Sequence, residues 1–389
     1  MKLLIYSHFF APSIGGVETV VQSLACGLAK LGDSNGSLEF EITLVTQTPR
    51  GNFDDATLPF PVVREPGVFL LCRLVRKTDT ILVAGPAILP LLFSLLYGKN
   101  VVVMHQGYQA ICPNGMLFQF SPQTDCPGHF AAKNYRECLR CNAPQEGWLG
   151  SLKLLVLTFM RRALTSRAAA NVGASEHVAN RIALPRSQVI RNGVIDQGSL
   201  TVGSSPAKDS CAEIRFAYLG RLVTEKGVKT VLQAAHLLAE QGFTPPVLII
   251  GDGPERPALE QQKATLKLGE NVAFLGFQRG AALEGIMGRV SVLVLPSLCQ
   301  DVAPLAVLEM MMQGRVIIGS KIGGLAEEIG EAGLTFEPGN AKALAEQMRR
   351  IIEEPGVMEG LRKKARERAL KCYTLQRLVL EYRDILISG

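Results

Sequence analysis

The sequence predicts an α/β protein made of two doubly wound parallel sheets. Strand and helix patterns alternate along all 389 residues, the alternation restarts after Arg191-Asn192-Gly193, and the length exceeds what one ordinary core supports. A content of 47% hydrophobic and 20% charged residues excludes extended disorder. The net charge of +6 mildly favours anionic partners such as nucleotides or an acidic membrane surface. No basic block suggests nucleic-acid binding.

The first strand is KLLIYSH. The opening MKLLIYSHFF lacks the long apolar region and small-residue cleavage site of a signal peptide, so a cytoplasmic protein is expected. The loop FFAPSIGGVETVV places Gly15 and Gly16 before a helix from Val17 to Leu31, where bare backbone and free N–H groups can meet a ligand. Tight βα turns use such glycines anyway. FEITLVTQ, ILVAG, an apolar helix and VVVMHQG follow, the last strand ending at His105. The apolar window from Thr80 to Val103 is broken by Pro86, Pro90 and Lys99, so it reads as strand, helix, strand and not as a membrane span. His105 is open to two readings, a hydrogen-bonded structural residue or an active one.

Residues 106–147 form a Cys-rich insertion with the spacing C-x13-C-x11-C-x2-C, at Cys112, Cys126, Cys138 and Cys141. One C-x2-C pair with two further thiols suits a structural zinc site, while the irregular spacing leaves free or disulfide-bonded thiols open. The loop is expected to shape an acceptor site. LGSLKLLVLTFMRRALTSRA, from Leu149, reads as an apolar helix with Arg161 and Arg162 on its polar side. It either packs on the sheet or contacts a membrane surface that carries a lipid-linked acceptor, at the inner face of the membrane.

Gly, Ser and Asp mark a linker near residues 192–212. The expected domains are 1–192 and 193–370, with a helix in 371–389 packing back toward the first. The second sheet is read from IRFAYLGR, VLIIGDG, VAFLGF, SVLVLP and RVIIGSK, with helices at Val228–Glu240, Ala341–Ile352, Val357–Leu370 and Leu375–Ile387. LGRLVTEKGV brings Arg221 and Lys226 to the carboxyl end of the domain's first strand, where two cations suit a diphosphate; a solvated turn paired with Glu225 is the alternative. Pro296 ends SVLVLP, Pro304 suits the first turn of a helix to Gln313, and Gly314 closes it. Asp301 is therefore on a loop beyond a strand's carboxyl end and Glu309 is inside the next helix, at the sheet edge where open α/β folds bind ligands. Gly251-x-Gly253 lacks the third glycine of a dinucleotide fingerprint, and no Walker loop, H-E-x-x-H or D-x-D pair occurs.

Taken together, these segments resemble the retaining glycosyltransferases of family 4. The resemblance spans nearly the whole chain, through P-x-x-G-G-x-E at Pro12 to Glu18, His105, VIRNGVID, G-R-L with K-G at Gly220 to Gly227, the GDG, LGF at Leu275 to Phe277, and GGLAEEIGEAGLTFEPGNAKALAE at Gly323 to Glu346. It implies the GT-B architecture, two Rossmann-like domains facing across a cleft. It implies a nucleotide-diphosphate sugar as donor, a glycan or lipid-linked acceptor, and no catalytic cofactor. The donor site would include Gly15, Gly16, Arg221, Lys226, Asp301, Pro304, Leu305 and Glu309: Glu309 on the ribose, Asp301 on sugar hydroxyls, Arg221 and Lys226 on the diphosphate, and His105 near the reacting sugar. The family's E-x7-E signature here reads Asp301-x7-Glu309. Asp is one methylene shorter, and a misplacement of about 1 Å can cost on the order of 100-fold in rate. A nucleotide-sugar epimerase of the same architecture and a nucleotide-sugar-binding protein of reduced activity are the competing readings.

Overall fold

The computed structural model describes residues 1–13, 15–32, 37–196 and 214–388. Most of the linker expected at 192–212 lies outside the described residues. The chain divides into two compact units. Unit 1 comprises Met1–Ser121, Cys126–Ile195 and Thr374–Gly389, and unit 2 comprises Pro122–Asp125 and Asp196–Tyr373.

Unit 1 runs β1 (Lys2–Ser7), α1 (Gly16–Leu28), β2 (Glu41–Thr46), β3 (Val62–Arg64), α2 (Val68–Lys77), β4 (Thr80–Ala84), α3 (Ile88–Leu96) and β5 (Asn100–His105). Two short strands follow, β6 (Phe118–Gln119) and, in the segment counted with unit 2, β7 (Thr124–Asp125). Then come α4 (Tyr135–Thr165), β8 (Ala170–Gly173), α5 (Glu176–Ile182) and β9 (Ser187–Val189). The parallel sheet has the order β3-β2-β1-β4-β5-β8-β9. β4 is buried at every position, as TILVA should be when both sheet faces are covered. The strand order reverses between β1 and β4. Right-handed crossovers then put α2, α3 and α4 on one face and α1 on the other. α4 contains Pro144 and breaks at Gly147, whose φ of 69° belongs to the left-handed region.

Unit 2 runs β10 (Phe216–Leu219), α6 (Val228–Glu240), β11 (Val247–Ile250), α7 (Arg256–Thr265), β12 (Val272–Gly276), α8 (Gly280–Met287) and β13 (Val292–Leu295). It continues with α9 (Leu305–Met312), β14 (Val316–Ser320), α10 (Gly323–Ile329), β15 (Leu334–Phe336), α11 (Ala341–Glu353) and α12 (Pro355–Cys372). Its parallel sheet has the order β12-β11-β10-β13-β14-β15, so this one reverses between β10 and β13. The core joins Phe216, Tyr218, Val231, Ile249, Val294 and Ile318 from the strands and α6 to Leu344 and Met348 of α11.

A last helix, α13 (Leu375–Ile387), belongs to unit 1. It packs on α1, where a Cβ on Gly27 would lie 2.3 Å from Cγ2 of Val379. Arg377 of α13 donates to the carbonyls of Arg191 (2.5 Å) and Asn192 (3.2 Å).

Candidate functional site

In unit 2, the loops after β10 and β13 flank the reversal of strand order, where an open sheet leaves a crevice at its carboxyl edge. Lys226 reaches from the first loop to Asp301 on the second, with Nζ 2.5 Å from Oδ1. The Ser297 hydroxyl donates to the other carboxylate oxygen. The Cys299 thiol lies 3.6 Å from Oδ1. Burial alone would lower the Lys226 pKa, and the Asp301 carboxylate reverses this, leaving it raised. The lysine is a firm cation.

Backbone contacts hold both loops. Leu298 N–H donates to the Glu225 carbonyl (2.9 Å), and Gly324 N–H to the Asp301 carbonyl (2.7 Å). Two glycines permit this approach. Gly227 has φ +66°, and a Cβ there would sit 2.1 Å from the Pro296 carbonyl oxygen; Gly323 has φ +59° and would place one 2.8 Å from the Asp301 carbonyl oxygen. Gly227 therefore fixes Lys226 against the end of β13, and Gly323 brings the start of α10 beneath Asp301.

Arg221 is open to solvent, 4.0 Å from a largely buried Glu225 carboxylate, and its carbonyl accepts from the Tyr218 hydroxyl (2.7 Å). Its guanidinium is free to swing onto an anion. Pro304 caps α9 and Leu305 is its first residue, so the helix presents uncapped N–H groups to the same edge. Glu309 is exposed on α9, though the protein around it desolvates its carboxyl enough to raise the pKa. Beneath them, Glu328 of α10 is 3% exposed, and its Oε2 has no hydrogen-bond partner. Burial first, then the charge of Asp301, raises its pKa well above the usual carboxylate range.

In unit 1, Gly15 caps α1 in extended conformation and Gly16 is the helix's first residue, directly beyond β1 at that sheet's reversal. His105, at the end of β5, is 1% exposed, and its Nε2 lies 2.9 Å from Asn171 Oδ1. Asn171 Nδ2 donates to the carbonyls of Thr165 (3.0 Å) and Pro185 (2.9 Å), which leaves Oδ1 as the acceptor and makes His105 the Nε2–H tautomer. Burial lowers the His105 pKa to about 4, so the ring is neutral near pH 7. Nδ1 is then a buried acceptor with no partner.

None of the four clustered cysteines is joined in a disulfide. Asn114 sits among them, its Oδ1 accepting from the Cys112 thiol (2.9 Å) and its Nδ2 lying 3.8 Å from Cys141 Sγ. The Cys138 thiol is pushed up to about 12 by burial and then by Cys112, Cys126 and Cys141 nearby. Among the described residues, no group of three or more His, Cys, Asp or Glu side chains is disposed to hold a metal ion.

The sequence pointed to Lys226, Asp301 and His105. Ser297, Tyr218, Asn171 and Glu328, which hold or border them, did not stand out: the first three are single polar residues in an apolar or loop context, and Glu328 is the second of two adjacent acids on α10.

Residues 211–370 match the family model described as glycosyl transferases group 1. Among curated proteins, the chain is 30% identical over 142 residues to 2-deoxystreptamine glucosyltransferase of Streptomyces kanamyceticus, covering 36% of each. It is 29% identical over 203 residues to glycogen synthase of Mycobacterium tuberculosis, covering 52% of this chain and 48% of that one. The matches thus span about a third to a half of those relatives. Among solved structures, HepE of Anabaena in complex with UDP-glucose aligns over 100% of both chains with a TM-score of 0.73 at 17% identity. Sucrose-phosphate synthase of Thermosynechococcus elongatus gives the same coverage, TM-score and identity. The fold is GT-B, with mixed α/β architecture and a parallel sheet in each unit.

Proposed function

We propose that the chain transfers a sugar from a nucleoside-diphosphate sugar to an acceptor hydroxyl, with retention, in glycan, polysaccharide or glycolipid synthesis; the match of residues 211–370 to the family model of glycosyl transferases group 1 supports this reading. The observation that carries this reading is the cation pair at the strand-order reversal, with Lys226 braced on Asp301 and the solvent-exposed Arg221 beside it, 4.0 Å from the Glu225 carboxylate. A departing nucleoside diphosphate gathers negative charge, which fixed cations and helix amides stabilise in place. Lys226 and Arg221 take the diphosphate, the α9 amides add their dipole, and Glu309 takes the ribose hydroxyls. Asp301 faces the sugar while holding Lys226. His105, a neutral acceptor at Nδ1, takes a substrate hydroxyl. The acceptor oxygen attacks from the leaving-group side, and the departing phosphate oxygen receives its proton.

UDP-glucose is the first donor to test, since HepE is a complex with it. With donor and no acceptor, slow release of UDP and free sugar of retained anomeric configuration supports transfer. An epimerised donor identifies an epimerase, binding without turnover a binding protein, and either result displaces the reading.

A further inference from the structure

Most of the exposed large apolar side chains among the described residues fall on α2, α3 and α4. Phe69 is 92% exposed, Leu149 85%, Leu96 70% and Trp148 64%. These helices share one face of the first sheet, and α3 packs against both α2 and α4. Their outward sides therefore make one surface, larger than the scattered apolar residues of an ordinary exterior. Its charge is one-sided. α2, α3 and α4 beyond Gly147 contain no Asp or Glu, and the acids Glu65, Asp79 and Glu146 lie only at their flanks. Arg73, Arg76, Lys77 and Lys153 are exposed on the same helices. No helix among the described residues is long and apolar enough to cross a membrane.

We propose that the outward face of α2, α3 and α4 docks unit 1 onto an anionic phospholipid surface, apolar side chains entering the headgroup boundary and the basic ones meeting the lipid charge. Apolar side chains beside lysines and arginines, with acids excluded, are what an interfacial helix requires. A polar protein partner would have no use for side chains as apolar and exposed as Phe69 and Leu149. On the glycosyl-transfer reading, this surface would hold the enzyme where a lipid-linked acceptor lies.

Trp148 is the only tryptophan in the chain, so it reports on this face alone. The full chain is mixed with phosphatidylcholine vesicles with and without 30% phosphatidylglycerol, as roughly a typical acidic membrane content, and followed by Trp148 emission and flotation. A blue shift with flotation on the anionic vesicles, reversed by salt, is expected. Arg73→Gln with Arg76→Gln and Lys153→Gln should weaken partition on the order of 100-fold, about fivefold per charge removed. Phe69→Ser with Leu149→Ser should abolish the shift, and unchanged circular dichroism and thermal melting would show these variants folded. No shift on anionic vesicles, equal binding to neutral ones, or a concentration-dependent dimer without vesicle binding would overturn the proposal. The readout needs no turnover, so it fails independently of the catalytic reading.

Discussion

Replacing Lys226 by Met removes the cation from its 2.5 Å contact with Asp301 while keeping the stem's bulk. Breaking a fully buried pair costs about 3–5 kcal/mol, and an exposed pair is worth about 0–1 kcal/mol. With the side chains 23% and 13% exposed, a loss of about 2 kcal/mol is expected, or roughly 4–8 °C in the melting of a unit this size. Asp301 keeps its Ser297 hydrogen bond, so the loop should hold its path. The effect on the ligand is separate. A charge-assisted phosphate contact contributes about 1.5–3 kcal/mol, so UDP should bind roughly 10- to 150-fold more weakly by calorimetry. Asp301→Asn is the contrasting case. It frees Lys226 from its resting partner, and UDP should bind at least as tightly as to the parent. If Lys226→Met binds UDP with the parent's affinity, the assignment of the site is wrong.

Glu309→Ala should lose UDP affinity with the fold intact, as read by thermal shift; an unchanged shift removes Glu309 from the ribose. Glu328→Gln should stabilise the chain at pH 8 and less so near pH 5. The native carboxyl holds its proton above the ordinary 4.5, and ionisation of the unfolded chain draws off stability as pH rises; a gain independent of pH would contradict this. For His105, lowered to about 4, the native ring binds fewer protons than the unfolded one, so its contribution is complete above pH 6.5 and lost as pH falls toward 4. His105→Gln should flatten that acid limb and reduce turnover more than UDP binding, and a parent-like acid limb would count against it. The zinc expectation for Cys112, Cys126, Cys138 and Cys141 is checked by metal analysis of protein purified without added zinc. One zinc per chain, absent from Cys138→Ser with Cys141→Ser, supports it, and none in the parent ends it.

The long, strongly patterned elements were legible because one property decides them. KLLIYS and SVLVLP are apolar and β-branched enough to be buried strands wherever they sit, and the helix after Pro304 runs from Leu305 to Met312 between a proline and a glycine. β3 and β9 have three residues each and half-exposed or exposed patterns, so their pairing comes from neighbouring strands and leaves no period to read. α4 begins at Tyr135, inside what reads as an irregular insertion, because its first turns are polar and Gly147 interrupts them. At the site, residue types and strand-end positions singled out Lys226, Asp301 and His105. Their partners did not show, since the Asp301–Lys226 contact joins positions 75 apart and His105–Asn171 positions 66 apart, and only the sheet order brings them together.

The helix α13 has a consequence for synthesis. It completes unit 1 by covering α1 at Gly27 and Val379, yet it is made after every residue of unit 2. During translation the apolar flank of α1 therefore waits, uncovered, while some 180 residues are added, at about 5–20 residues per second. A nascent chain holding back that long is a ready substrate for chaperones, and shortening the chain before Leu375 would strike the first unit made, leaving the second, which ends at Tyr373, intact.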